Sequence, residues 1–259
     1  MTQTFNGKTA VVTGATSGIG FAFAQVLANR GMDLVICGRD LNRLNQVAED
    51  LADESGANVE VLVADLSDRS QLELVTTRVT QPDVALVINN AGYGIAAPFI
   101  TTDIEHEQAM LDVLVTAVMR ITHSALPGLL ERNFGGVINV SSVAGWLSSG
   151  TYSAAKSYVT TFSESLATHL RDTDVHVMAL CPGFTRTEFQ TRAGMNTETI
   201  PEFLWLEAHQ VVEEALADFA SGKAVSVPGM QYKTLGIAAQ YLPRPLVRLF
   251  STMERKYRD

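Results

Sequence analysis

Residues 9–20 read Thr9-Ala10-Val11-Val12-Thr13-Gly14-Ala15-Thr16-Ser17-Gly18-Ile19-Gly20. A short β-branched run breaks into three glycines, and an apolar stretch at helical spacing follows through Leu27. The order is strand, glycine loop, helix. Glycines let the backbone come close to a phosphate, and the first turn of a helix offers unpaired N–H groups and the positive end of its dipole. The spacing Gly14-x-x-x-Gly18-x-Gly20 differs from the commoner Gly-x-Gly-x-x-Gly fingerprint. By itself it would fit a tight turn and close helix packing. The strand before it and the helix after it favour the pyrophosphate of a dinucleotide, held by Gly14, Gly18 and Gly20.

Outward from this stretch, apolar runs alternate with helical patterns. Leu34–Cys37, Val59–Ala64, Val84–Ile88, Val137–Val140, Val175–Leu180 and Ala224–Val227 read as six further strands. Leu41, Leu44, Val47, Ala48 and Leu51 recur at helical spacing, Ser67 to Arg78 reads as a helix, and one long helix is expected from about Asp103 to Arg132. Another runs from Tyr152 to Leu170, and helical spacing resumes at Val211. Strands apolar throughout and separated by helices indicate a parallel sheet covered on both faces. The expected fold is α/β: a single doubly wound, Rossmann-like domain over residues 1–259 with a seven-stranded parallel sheet. The region of about 184–222 reads as a substrate loop or lid, and 230–259 as a helical C-terminal extension.

The 259 residues are 46% hydrophobic and 18% charged, as in a globular chain rather than a disordered one. A net charge of -9 argues against nucleic-acid binding, which needs clustered lysine and arginine. Cys37 and Cys181 both end apolar runs, so a disulfide framework is not expected. No leader pattern and no apolar run of membrane-spanning length is read, and a cytoplasmic location follows as the expectation. The five histidines are scattered without zinc spacing, so no metal site is expected. From Tyr241 to Asp259 five basic residues face two acidic ones, a net +3 that leaves -12 for the remainder. Leu242, Leu246, Leu249, Phe250 and Met253 give this tail an amphipathic pattern. It suits a helix covering the substrate pocket or a subunit interface, or a weak peripheral membrane contact.

Where the second strand ends, an enzyme of this architecture reads the adenosine ribose, with an acid for a free 2'-hydroxyl or an arginine for a 2'-phosphate. The chain has Gly38-Arg39-Asp40 there. Arg39 can pair with phosphate, which favours NADP(H) over NAD(H), while Asp40 pulls the other way. Farther on, Tyr152 and Lys156 stand four residues apart, on one face of a helix. A phenol with a reference pKa of about 10 exchanges a proton poorly at neutral pH unless a nearby cation favours its phenolate. Lys156 can be that cation.

Thr13-Gly14-Ala15-Thr16-Ser17-Gly18-Ile19-Gly20, Asn89-Asn90-Ala91-Gly92, Ser141-Ser142-Val143-Ala144-Gly145, Tyr152 to Lys156, and Pro182-Gly183 follow one another in the order seen in the short-chain dehydrogenase/reductases, and the chain resembles that family over nearly its whole length. The resemblance implies an oxidoreductase acting between a ketone and a secondary alcohol. It implies Tyr152 as general acid or base, Lys156 lowering its pKa and holding the nicotinamide ribose, and Ser142, rather than the adjacent Ser141, orienting the substrate oxygen. It also implies Thr16, Ser17 and Ile19 at the pyrophosphate, Asp65 and Leu66 at the adenine, Asn90 at the adjoining ribose, and Thr185 and Thr187 at the nicotinamide amide. Homodimers or homotetramers are common in the family. The chain departs from it in a shorter loop between Ser142 and Tyr152, and in Leu114, where the family usually has an asparagine that holds a water connecting the lysine to solvent. Leu114 motivates a second reading, a nucleotide-binding sensor or scaffold with little turnover. Phe99, Trp146, Leu147, Phe184, Phe189 and Trp205 near the inferred cleft imply an apolar substrate.

Overall fold

A computed structural model of the chain describes residues 5–198 and 200–234. β1 (Thr9–Thr13) is buried at every position, as are β4 (Val84–Asn89) and β5 (Gly135–Val140). With β2 (Asp33–Gly38), β3 (Val59–Val63), β6 (Val175–Leu180) and β7 (Val225–Ser226) they form one parallel sheet in the order β3-β2-β1-β4-β5-β6-β7. This is the seven-stranded, doubly wound architecture expected from the alternating pattern.

Alternate residues of each strand face opposite sides. Ala10, Val12, Leu34, Ile36, Leu86, Ile88, Ile138 and Met178 share one core with Phe23 and Leu27 of α1 (Gly18–Asn29), Leu44 and Leu51 of α2 (Leu41–Ser55), and Val211, Ala215 and Phe219 of α8 (Ala208–Ala220). Val11, Val35, Cys37, Val87, Val137 and Val177 face the other core, with Leu72 and Val75 of α3 (Arg69–Arg78) and with Ile121, Ala125 and Leu129 of α5 (Val118–Arg132). Burying each valine, leucine, isoleucine, phenylalanine or methionine among them contributes roughly 1.5–3 kcal/mol, against about 0–1 kcal/mol for an exposed ion pair. The two-sided sheet core is therefore what holds the fold. Cys37, in the second core, and Cys181 are both free and buried.

The long helix expected from Asp103 to Arg132 is interrupted. It consists of α4 (Ile104–Leu111), capped by the Asp103 side chain, then a π-helical turn at Asp112–Ala117, then α5. By length and composition Ile104–Arg132 could cross a membrane, the one such helix among the described residues. Its burial in the sheet core through Ile121, Ala125 and Leu129 accounts for the apolarity.

α6 (Gly150–His169) follows a single turn of 3-10 helix at Val143–Trp146. The region read as loop or lid divides in two. Its first part holds the short α7 (Phe189–Arg192), whereas α8 is packed into the core beside α1. The C-terminal extension begins with a helical stretch over 230–234, in which the Tyr232 hydroxyl accepts from Phe184 N at 3.0 Å and donates to Leu204 O at 2.7 Å. The amphipathic tail from Tyr241 onward lies outside the described residues.

The strand order reverses direction between β1 and β4, each of which lies beside the other with β2 and β5 outside them. The crevice beyond the carboxyl ends at such a switch point is where ligands bind in open α/β sheets.

Candidate active site

A cavity of about 1290 Å³ opens at that crevice. Gly14, Thr16, Ser17, Gly18, Ile19, Arg39, Asp65, Leu66, Asn90, Ser142, Tyr152, Lys156, Thr185 and Thr187 all line it, so the structure brings together residues from almost the whole sequence. Gly20 does not line it; this residue sits behind the loop, against the Gly14 carbonyl and the Asn90 amide.

The glycine loop leaves β1 with Gly14 at φ +66° and enters α1 with Gly18 at φ +58°, in the left-handed region that favours glycine. Ser17, the N-cap of α1, makes no side-chain cap bond. The first-turn N–H groups are thus left for a ligand, as a bound pyrophosphate requires. Asn90 braces this loop: its side-chain amide donates to Thr13 O at 2.9 Å and Gly14 O at 3.1 Å. That use of the Asn90 amide was invisible in the motif.

At the end of β2, Asp40 caps α2 by accepting from Asn42 N at 3.0 Å and Arg43 N at 3.1 Å. Arg39 is largely exposed and lies 3.8 Å from Asp65. Burial pushes the Asp65 carboxyl up, but hydrogen bonds from Ser67 and the Arg39 charge outweigh it and leave the group below its ordinary value. Arg43, which belongs to none of the motifs, also lines the cavity. Its Nη2 donates to Thr16 O at 3.2 Å and pairs with Glu188 at 3.2 Å. The only sequence signal for it is a basic residue in the first turn after Gly38-Arg39-Asp40.

At the other end, the end of β5 and the start of α6 set the reactive groups. Lys156 is buried, and its Nζ donates to Val140 O at 2.6 Å and lies 5.7 Å from the centre of the Tyr152 ring. Burial pushes its pKa down to about 8, slightly offset by Cys181. It is still mostly protonated at neutral pH and available to favour a phenolate. Ser141 donates to Lys156 O at 2.7 Å and is hydrogen-bonded to the Thr160 hydroxyl at 2.7 Å, which ties α6 to the strand end. Ser142 caps the 3-10 turn by accepting from Ala144 N at 3.1 Å, while its own proton makes only a long 3.5 Å contact with Pro182 O. Ser142 is therefore the serine with a donor to spare.

Trp146, Leu147, Phe184 and Phe189 form apolar walls, together with Ile95 and Met195. Phe99 is exposed and Trp205 packs on Phe184 with the two rings tilted by 50°, and neither lines the cavity as their sequence positions had suggested. Leu114, in the π-helical turn, is buried with Met110 and Ala155, and Tyr93 and Tyr152 pack on that cluster.

The family model described as short chain dehydrogenase matches residues 8–198. Among curated proteins, an uncharacterized oxidoreductase of Staphylococcus saprophyticus is 35% identical over 185 residues, covering 70% of this chain and 79% of the relative. Among solved structures, a short-chain dehydrogenase from Sphingobium yanoikuyae in complex with NADPH is 33% identical with a TM-score of 0.83, covering 90% of this chain and 94% of that one. The bulky-bulky ketone specific alcohol dehydrogenase from Comamonas testosteroni is 29% identical with a TM-score of 0.79, covering 90% and 92%.

Proposed function

The chain belongs to the short-chain dehydrogenase family, and on that premise we propose that it is an NADP(H)-dependent oxidoreductase interconverting a bulky apolar ketone and a secondary alcohol, with Tyr152 as general acid and base. The observation that carries this reading is the convergence of Ser142, Tyr152 and Lys156 on the cavity that the glycine loop also lines. The loop glycines and the uncapped start of α1 suit a dinucleotide. When bound, its nicotinamide supplies a hydride to the carbonyl carbon in reduction or accepts one in oxidation.

The chain's own residues handle the proton and the oxygen. Ser142 Oγ–H donates to the carbonyl oxygen and fixes its direction. Tyr152 gives its phenolic proton to that oxygen as negative charge develops there, and takes it back in the oxidation direction. Lys156, protonated and desolvated, favours the phenolate left behind. Apolar walls from Trp146, Leu147, Phe184 and Phe189 exclude water and receive the substituents of the ketone.

The preference for the phosphorylated cofactor rests on the division of labour at the end of β2. The Asp40 carboxylate is committed to capping α2, so the acid that would read a free 2'-hydroxyl is engaged elsewhere. Arg39 and Arg43 both line the cavity there, and guanidinium groups suit a phosphate. The structural relative from Sphingobium yanoikuyae was solved with NADPH, in line with this reading.

NADPH and NADH oxidation measured across a panel of bulky apolar ketones tests both parts. Tyr152→Phe removes the proton donor and should lower kcat by roughly 10²–10⁴-fold. Activity that survives this change sinks the mechanism. Tight NADPH binding with no turnover on any ketone favours a sensor or scaffold, the reading that Leu114 motivates.

A further inference from the structure

Three consecutive residues, Thr187 to Phe189, touch three separate parts of the cavity. The Thr187 methyl lies over the glycine loop, so close that a Cβ at Gly18 would come within 2.9 Å of it. Phe189 places its ring 5.8 Å from that of Tyr152. Between them, Glu188 accepts from Arg43 Nη2 at 3.2 and 3.3 Å and pairs with Arg192 one turn farther along α7. The same Arg43 nitrogen donates to Thr16 O, so the guanidinium is anchored on the glycine loop while it holds Glu188. The Arg43 hydrogen bond, the largest cause, and the charges of Arg192 and Arg43 keep the Glu188 carboxyl below its ordinary value.

We propose that Arg43 and Glu188 form an electrostatic strap that holds the segment 187–192 closed across the dinucleotide groove, which makes Glu188 a positioning residue for cofactor retention. The strap rests on the nicotinamide-dinucleotide reading above. It joins the nucleotide half of the cavity, through α2 and the glycine loop, to the reactive half, through Phe189 and Tyr152. Both partners are partly exposed, with side-chain accessibilities of 42% and 52%, so the pair adds little to the stability of the fold. Its energy is instead spent on closure, because the bridge must break whenever the segment swings away to let a dinucleotide leave. Solvent exposure also makes the strap sensitive to salt.

Release of NADPH and of NADH from the full-length chain, followed by stopped-flow fluorescence chase at low and high ionic strength, tests this. Glu188→Gln should release both nucleotides roughly two- to fivefold faster at low salt, the range an exposed ion pair supports. The parent's release should accelerate with salt more steeply than the variant's for both nucleotides, so that the two rates converge at high salt. Glu188→Asp, which keeps the charge, should retain the salt dependence, and neither substitution should lower the thermal midpoint. Equal release rates in parent and Glu188→Gln overturn the strap while leaving the oxidoreductase reading intact. An effect confined to NADPH also overturns it, since the pair would then act on 2'-phosphate recognition and not on closure. A parent that binds neither nucleotide overturns both readings.

Discussion

Lys156 holds an ammonium where water hardly reaches, with one carbonyl, Val140 O, as its hydrogen-bond acceptor. Burial lowers its pKa from 10.5 to about 8. In the unfolded chain the lysine keeps its ordinary value, so between about 8 and 10.5 the unfolded state binds more protons and stability rises with pH. Below about 8 the native state carries the full penalty, on the order of 3 kcal/mol. Removing the ammonium removes this dependence. Urea unfolding of the parent and of Lys156→Met, compared at pH 7 and pH 10, should show the parent gaining on the variant by roughly 2–3 kcal/mol as pH rises. A gap that stays constant with pH would mean that the ammonium is not desolvated as its burial implies. The residue motif Tyr-x-x-x-Lys was legible because four residues is one helical turn. Neither the depth of the lysine nor its carbonyl partner can be read from that spacing, because both depend on the end of β5.

The π-helical turn at Asp112–Ala117 is the element that the periodicity did not show. A π turn inserts one residue into the winding without changing the composition, so Leu111, Val115, Val118 and Ile121 still look like one apolar stripe. Packing against α6 makes the difference: Leu114, Met110 and Ala155 share a small buried cluster on which Tyr152 rests. Leu114→Asn places an amide in that cluster, and an unpaired buried amide costs about 1–3 kcal/mol. The thermal midpoint should fall by several degrees. If passage of protons from Lys156 limits turnover, kcat should rise in the same variant, and an unchanged kcat assigns the proton to a different route. The glycine loop illustrates the opposite case, an element whose turn and helix start are readable from twelve residues because its dihedral demands are local.

Across the whole molecule, a buried chain of polar side chains fastens the helices to the sheet beneath the cavity. Asn89 Nδ2 donates to Asn139 Oδ1 at 2.8 Å and to Thr122 Oγ1 at 3.1 Å, and Asn139 Nδ2 donates to Ser163 Oγ at 3.0 Å. Its four members come from β4, β5, α5 and α6, and none is more than 3% exposed. Asn139→Ala strips Asn89, Thr122 and Ser163 of a partner at once, and each buried group left unsatisfied costs about 1–3 kcal/mol. The urea midpoint should drop well beyond what a surface substitution produces, and a shift within about 0.5 kcal/mol would show the network to be dispensable. The sequence by itself determined the alternation of strands and helices, the glycine loop, the Arg39 position and the one-turn spacing of Tyr152 and Lys156, because each is written in periodicity or in spacings of a few residues, while Ser142 joined that pair only through the resemblance to the short-chain dehydrogenase/reductases. Only the tertiary structure decided that Asp40 caps a helix, that Asn90 braces the loop, that Phe99 and Trp205 stay outside the cavity, and that Arg43 meets Glu188 across 145 residues of chain. Those outcomes depend on which side chains meet once the sheet is assembled, and the order of the strands, not the local pattern, brings them face to face.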